Sequence, residues 1–246
     1  MNLLSRAINK FLALRVVDDR VLYTLPEREH LEKLFEFLKV DCVFDVGANI
    51  GQYATMLRKK VGYRGLIISF EPIPEAATTL RTLAAGDPMW DIEQLALASD
   101  DGERSFNVMK DSQFSSLANP DHSEIARFRS QNTPSSTIVV KTETLSSAFV
   151  RLQSKFGFRR PFLKMDTQGL DVEIVKSGTD VLPEFVGLQS ELAIKKLYDL
   201  STDFREAVTF YQSQGFEMSA IVQNNRGHFP LLIEANCIML RKDLCR

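Results

Sequence analysis

From Asp41 onward the chain repeats one arrangement, a short apolar run followed by a turn and a helical stretch. Cys42–Val46, Leu66–Phe70 and residues 162–165 and 185–190 read as buried strands, and residues 52–61, 75–84, 144–155 and 171–177 carry helical periodicity between them. Strands joined through helices must be linked by right-handed crossovers, which predicts an open α/β fold with a mostly parallel sheet. Residues 92–97 read as a third strand. Residues 104–109 and 138–141 read as further strands flanking a polar excursion, 112–136, that carries Pro120 and Pro134. The chain closes with a helix at 204–214, a strand at Phe216–Val222 and a last strand at 235–240, so the parallel sheet should end on an antiparallel strand.

The composition agrees with a chain that buries a core. Hydrophobic residues are 44% of the 246 and charged residues 25%, a globular balance. Thirty Lys+Arg against 32 Asp+Glu give a net charge of −2, without the basic excess that gripping nucleic-acid phosphates requires. Cys42, Cys237 and Cys245 form no zinc or disulfide spacing and read as reduced thiols in a cytoplasmic protein. Before Asp41 two helical patterns stand apart from the alternation, so residues 1–40 read as an N-terminal helical extension of a domain at 41–246. The first pattern, MNLLSRAINKFLALRVV, is interrupted by Arg6, Lys10 and Arg15 and is too short for a signal-peptide core or a transmembrane span. Its stripe suits packing or a homodimer.

The strongest local signal is Phe44-Asp45-Val46-Gly47-Ala48-Asn49-Ile50-Gly51-Gln52-Tyr53, a buried strand that runs into a glycine turn opening a helix. Such a turn lets a ligand approach the backbone. The spacing is G-x-x-x-G, which lacks the G-x-G-x-x-G form that cradles a pyrophosphate, and there is no P-loop. After the second strand comes Glu71, in Ser69-Phe70-Glu71-Pro72, where a carboxylate can accept hydrogen bonds from both hydroxyls of a ribose. Asp45, at the end of the first strand, suits an ammonium group. A ribose-binding carboxylate, an open loop and an acid for an amino group describe S-adenosylmethionine better than a dinucleotide. The expected cofactor set is Asp45, Gly47, Ala48, Asn49, Gly51, Tyr53, Glu71, Pro72 and Leu97.

The stretches FDVGANIGQYA, SFEPIPEA, ALASDDGE, SSL, FLKMDTQGLDVEIVKSG, LQSEL and NCIMLRKD, in this order, resemble the FkbM family of S-adenosylmethionine-dependent methyltransferases. The discriminating piece is Lys164-x-Asp166-x-x-Gly169 followed by Ile174. The resemblance runs from about Cys42 to the C-terminus. It implies the Rossmann-like class I methyltransferase sheet of seven strands with helices on both faces. It also implies O-methylation of a hydroxyl on a carbohydrate or secondary metabolite. Two positions depart from the family pattern: Asp171 in place of Glu, and Asn236 where an Asp is common.

Asp166 closes the fourth helix-linked strand at the sheet edge where ligands of open α/β folds collect. A hydroxyl is a poor nucleophile until it loses its proton, so Asp166 is the candidate base or substrate orienter, with an N-cap role as the alternative. Glu191, ending LQSEL, is the second candidate, and the pair also admits a magnesium ion, which the spacing does not require. Lys164, inside an apolar strand, must either reach a carboxylate or emerge at the surface, and structural pairing is the favoured reading. His30, His122 and His228 have no metal-ligand spacing. The acceptor is expected to be a small molecule or glycan chosen by residues 112–136 and the loop at His228. N-methylation, a lipid or peptide acceptor, and a cofactor-binding scaffold without turnover remain as alternatives.

Overall fold

The structure is a computed structural model describing residues 19–123, 125, 128–223 and 230–245. The first N-terminal helical pattern and His228 lie outside the described residues. Ten strands follow in chain order: β1 Cys42–Val46, β2 Leu66–Phe70, β3 Trp90–Glu93, β4 Ala96–Leu97, β5 Gly102–Met109, β6 Pro134–Glu143, β7 Pro161–Met165, β8 Gly187–Ala193, β9 Phe216–Val222 and β10 Glu234–Arg241. The helices are α1 Leu25–Leu38, α2 Gln52–Met56, α3 Pro74–Ala84, α4 Leu145–Phe156, α5 Asp171–Lys176 and α6 Phe204–Ser213.

Seven strands form one sheet in the order β3-β2-β1-β7-β8-β10-β9, and β10 runs antiparallel to both of its neighbours. This is the expected sheet. The expected third strand at 92–97 is instead divided. Leu95 N–H turns back to the Glu93 carbonyl at 3.0 Å, so β3 stays in the main sheet while β4 leaves to pair with β6. β4, β6 and β5 make a separate three-stranded sheet. The helix expected at 52–61 is α-helical to Met56 and closes as a π-helical turn, Leu57–Val61, ended by Gly62 at φ 80°.

The strand pleat sends alternate residues to opposite faces. Phe44, Ile68, Leu163, Leu188 and Met239 face a core completed by α4, α5 and α6, where the Phe44 ring lies 5.5 Å from those of Phe70, Phe158 and Phe185. Val43, Ile67, Phe162 and Ile238 face the opposite core, covered by Leu31, Leu34, Phe35 and Leu38 of α1 and by Leu57 and Leu80. The described part of the N-terminal extension therefore closes one face of the sheet. Two residues nearer the carboxyl edge of the parallel strands that same face becomes polar: Ser69, Asp45, Lys164 and Gln189, joined by Asn236 of the antiparallel β10. The gradient places a buried polar floor beneath the carboxyl ends of the parallel strands.

Among the described residues no helix is long and apolar enough to cross a membrane. Cys42 and Cys237 are buried free thiols and Cys245 is an exposed one.

Candidate active site

A cavity of about 440 Å³ opens over the carboxyl ends of β1, β2, β7 and β8, a size suited to a cofactor and part of a second molecule. Of the residues singled out from sequence, Gly47, Ala48, Asn49, Tyr53, Glu71, Pro72, Leu97, Asp166 and Glu191 line it. Asp45 and Gly51 do not. Asp45, expected to face an ammonium group, is fully buried: its Oδ1 lies 3.0 Å from Lys164 Nζ, and its Oδ2 accepts the Ser69 hydroxyl at 3.2 Å. A lysine inside a strand must find a counter-charge, and the β1–β7 register sets Asp45 beside Lys164. Gly51 shapes the turn instead. It caps α2 at φ 85°, and a Cβ there would meet Leu80 at 2.9 Å.

The glycine loop is held by Glu71. Its Oε2 accepts the Asn49 N–H at 2.8 Å and its Oε1 the Ile73 N–H at 2.9 Å, while Gly47 and Ala48 donate to the Phe70 carbonyl. One carboxylate thus ties the loops after β1 and β2 together. Burial removes its hydration and raises its pKa to about 7, and the two N–H donors only partly offset this. Gly47, at φ 74°, brings its backbone against Asp166, whose carbonyl would lie 1.9 Å from an added Cβ. Beyond Glu71 the wall is apolar, built from Ile73, Ala96, Leu97 and Phe106. Ser112, from the expected excursion, donates to Asn49 Oδ1 at 3.1 Å and joins the wall.

At the other end the surface is polar. Gln168 donates from Nε2 to Asp166 Oδ1 at 2.8 Å and to Glu191 Oε2 at 3.0 Å, and its Oε1 lies 2.8 Å from the Tyr198 hydroxyl. Gln168 has a left-handed backbone, φ 54°, followed by Gly169 at φ 98°. The Ser116 hydroxyl, in contact with the Thr167 and Gln168 carbonyls, supports that turn. Asp171, the departure from the family pattern, is buried beneath the turn and accepts from Thr167, Ser190 and the Glu191 N–H.

Glu27 and Glu234 carry no sequence motif, and Gln168 occupies an unspecified position of the Lys164-x-Asp166-x-x-Gly169 segment, yet all three line the cavity. Glu27 Oε1 accepts from Gln189 Nε2 at 2.7 Å and from Asn236 Nδ2 at 2.9 Å, and Gln189 in turn accepts the Tyr53 hydroxyl at 3.1 Å. A carboxylate from α1 therefore faces the position where Asn236 replaces the common Asp. Burial raises the pKa of Glu27. One signal was present: Glu27 lies four residues before Leu31 on the stripe that continues through Leu34, Phe35 and Leu38. Among the described residues no group of three or more His, Cys, Asp or Glu is arranged to hold a metal ion.

The model of the "Methyltransferase FkbM domain" matches residues 45–218. No curated protein matches the chain. Among solved structures, fibrillarin of Aeropyrum pernix with natively bound S-adenosyl-L-methionine is 12% identical, with a TM-score of 0.45 over 81% of this chain and 66% of that one. This chain thus spans just under two thirds of that protein. Magnesium protoporphyrin IX methyltransferase of Synechocystis PCC 6803 is 7% identical, with a TM-score of 0.45 over 97% and 95% of the two chains. A putative tRNA (m1A22) methyltransferase of Streptococcus pneumoniae is 10% identical, with a TM-score of 0.47 over 87% and 72%. The family match takes in the glycine loop after β1, the whole of β2, the Lys164-Met165-Asp166 segment and most of the cavity wall; the chain belongs to the FkbM methyltransferase family.

Proposed function

We propose that this methyltransferase uses S-adenosylmethionine and transfers its methyl group to a hydroxyl of a carbohydrate or secondary metabolite. The observation that carries the reading is the division of one cavity into two chemically distinct ends. At one end Glu71 faces the space between the loops after β1 and β2, beside the apolar wall of Ile73, Ala96 and Leu97. A carboxylate next to an apolar slot fits a ribose diol carrying a flat base. Gly47, Ala48 and Asn49 line the same end. When bound, the cofactor supplies an activated methyl group on a sulfonium.

The other end supplies acceptors of hydrogen bonds, which suits a substrate rich in hydroxyls. Asp166 stands closest in the fold to the glycine loop, its N–H donating to the Val46 carbonyl at 3.1 Å. In this reading it orients the reacting hydroxyl and takes its proton. Gln168 keeps Asp166 and Glu191 from repelling one another by donating to both, so the two carboxylates hold fixed directions before the acceptor arrives. Orientation of this kind is the main contribution a protein makes to a displacement at carbon.

Thermal unfolding with S-adenosylmethionine, S-adenosylhomocysteine and NAD tests the cofactor. A ligand at about a hundredfold excess over Kd adds roughly 2.7 kcal/mol, which raises Tm by about 5–10 °C at this chain length. A shift with both adenosyl compounds and none with NAD is expected; the reverse would overturn the reading. Mass spectrometry on a panel of sugar and metabolite alcohols then reports whether a methyl group is added and to which atom.

A further inference from the structure

The acceptor end holds more carboxyl groups than a neutral polyol needs. Asp166, Glu191, Glu234 and Glu27 line it, against Arg28 and Lys164, and Lys164 is already committed to Asp45 behind the wall. Glu234 is the informative member. It opens β10 opposite Ala193, two residues from Asn236 on the same face, so the antiparallel strand carries it to the edge where β7 and β8 end. Its surroundings remove it from bulk water, and it remains partly accessible because the cavity lies beside it. No described residue donates a hydrogen bond or an ion pair to it, whereas Asp166, Glu191, Glu27 and Asp171 all have donors. Burial, with the neighbouring Asp166 and Asp171 adding to it, raises its pKa to about 8. In the free protein it is therefore mostly protonated at neutral pH, and a cation entering the cavity would draw it into the ionised form.

Resting on the methyltransferase reading above, we propose that the acceptor carries a protonated amine beside the hydroxyl to be methylated, and that Glu234 receives this ammonium with Glu191 and Asp166 alongside. An ammonium offers three N–H donors and a positive charge to a wall made of acceptors. Held in this state the nitrogen has no free electron pair, so the amine serves as a handle and the methyl group goes to oxygen. The hydroxyl proton passes to Asp166 as the oxygen bonds to the methyl carbon and the carbon–sulfur bond breaks with its electron pair left on sulfur. Charge balances: the sulfonium charge is lost and one proton is gained, later released to water. The same wall rejects anionic acceptors, which would meet several carboxylates at once.

The test uses the full chain saturated with S-adenosylhomocysteine and three probes of one ring shape, glucosamine, glucose and glucuronate, titrated by calorimetry. Glucosamine is expected to bind at least about tenfold more tightly than glucose, the scale of one charge-assisted hydrogen bond, and glucuronate more weakly than either. In Glu234→Gln the preference should disappear while S-adenosylhomocysteine affinity stays within about twofold. Glucose binding as well as glucosamine, or neither binding, overturns the proposal with the wild-type protein alone; so does a Glu234→Gln variant that keeps the preference. Failure of S-adenosylhomocysteine to bind the wild type is a separate result, and it would bring down the cofactor reading and this proposal together.

Discussion

Cofactor affinity should depend on pH through Glu71, and the size of the effect follows from its surroundings. In the ligand-free protein burial raises this carboxyl from 4.5 to about 7. A ribose diol donates two hydroxyl hydrogens, and only the ionised carboxylate accepts both while keeping the Asn49 and Ile73 N–H bonds. Binding therefore favours ionised Glu71 and expels a proton wherever the free protein carries one. At pH 8 roughly nine tenths of the free protein is already ionised, and at pH 6 roughly one tenth is, so Kd for S-adenosylhomocysteine should rise about tenfold from pH 8 to pH 6, or about 1.4 kcal/mol. Calorimetric titration at pH 6, 7 and 8 measures this, with no acceptor required. Glu71→Gln should bind more weakly at every pH and lack this slope, which isolates Glu71 from any titration of the ligand. A wild-type Kd that stays constant across the range, or a Glu71→Gln variant with the wild-type slope, would refute the reasoning. The stability of the free protein runs the opposite way. A carboxyl whose folded pKa lies above its unfolded value contributes fully below pH 4.5, and that contribution is lost as pH rises through about 7. Glu71 thus lowers stability by up to about 3 kcal/mol between pH 4.5 and pH 8.

Three substitutions probe the rest of the site. Gly47→Ala forces a side chain onto a φ of 74° and to within 1.9 Å of the Asp166 carbonyl; urea unfolding should show a loss of about 2–4 kcal/mol, and S-adenosylhomocysteine binding should vanish. Lys164→Met leaves Asp45 charged and buried, a cost of about 3–5 kcal/mol by urea unfolding, and Asp45→Asn combined with it should restore part of that loss. If the double variant is no more stable than Lys164→Met, the pair is not what holds the lysine. Asp166→Asn should lower kcat by roughly 100-fold or more while leaving S-adenosylhomocysteine affinity within a few-fold; unchanged turnover at neutral pH would remove Asp166 from the proton-transfer role.

The glycine-loop end of the cavity was legible in the sequence because it is built from local geometry. Gly47 follows β1 and Glu71 follows β2, and adjacent parallel strands bring their ends together whatever the rest of the chain does. Asp45 was misplaced for the complementary reason. Its partner Lys164 lies on β7, and only the sheet order reveals that β7 flanks β1 on the side away from β2. The split of residues 92–97 was equally hidden, since β3 and β4 share one apolar run and separate only because β6 draws β4 into another sheet. The acceptor end depends on still longer connections. Glu27 and Glu234 lie on either side of the segment matched by the family model, and they line one cavity because α1 packs across the sheet while β10 enters between β8 and β9. Both positions carried a trace of this, Glu27 as the acid on an apolar helical stripe and Glu234 and Asn236 as the polar face of a strand whose other face holds Ala235, Cys237 and Met239. In the proposed reading the part of the site assigned to the cofactor comes from the segment that the family model matches, and the part assigned to the acceptor includes Glu27 and Glu234 from outside it. Exchanging these flanking carboxylates for amides should change which acceptor binds without moving the cofactor.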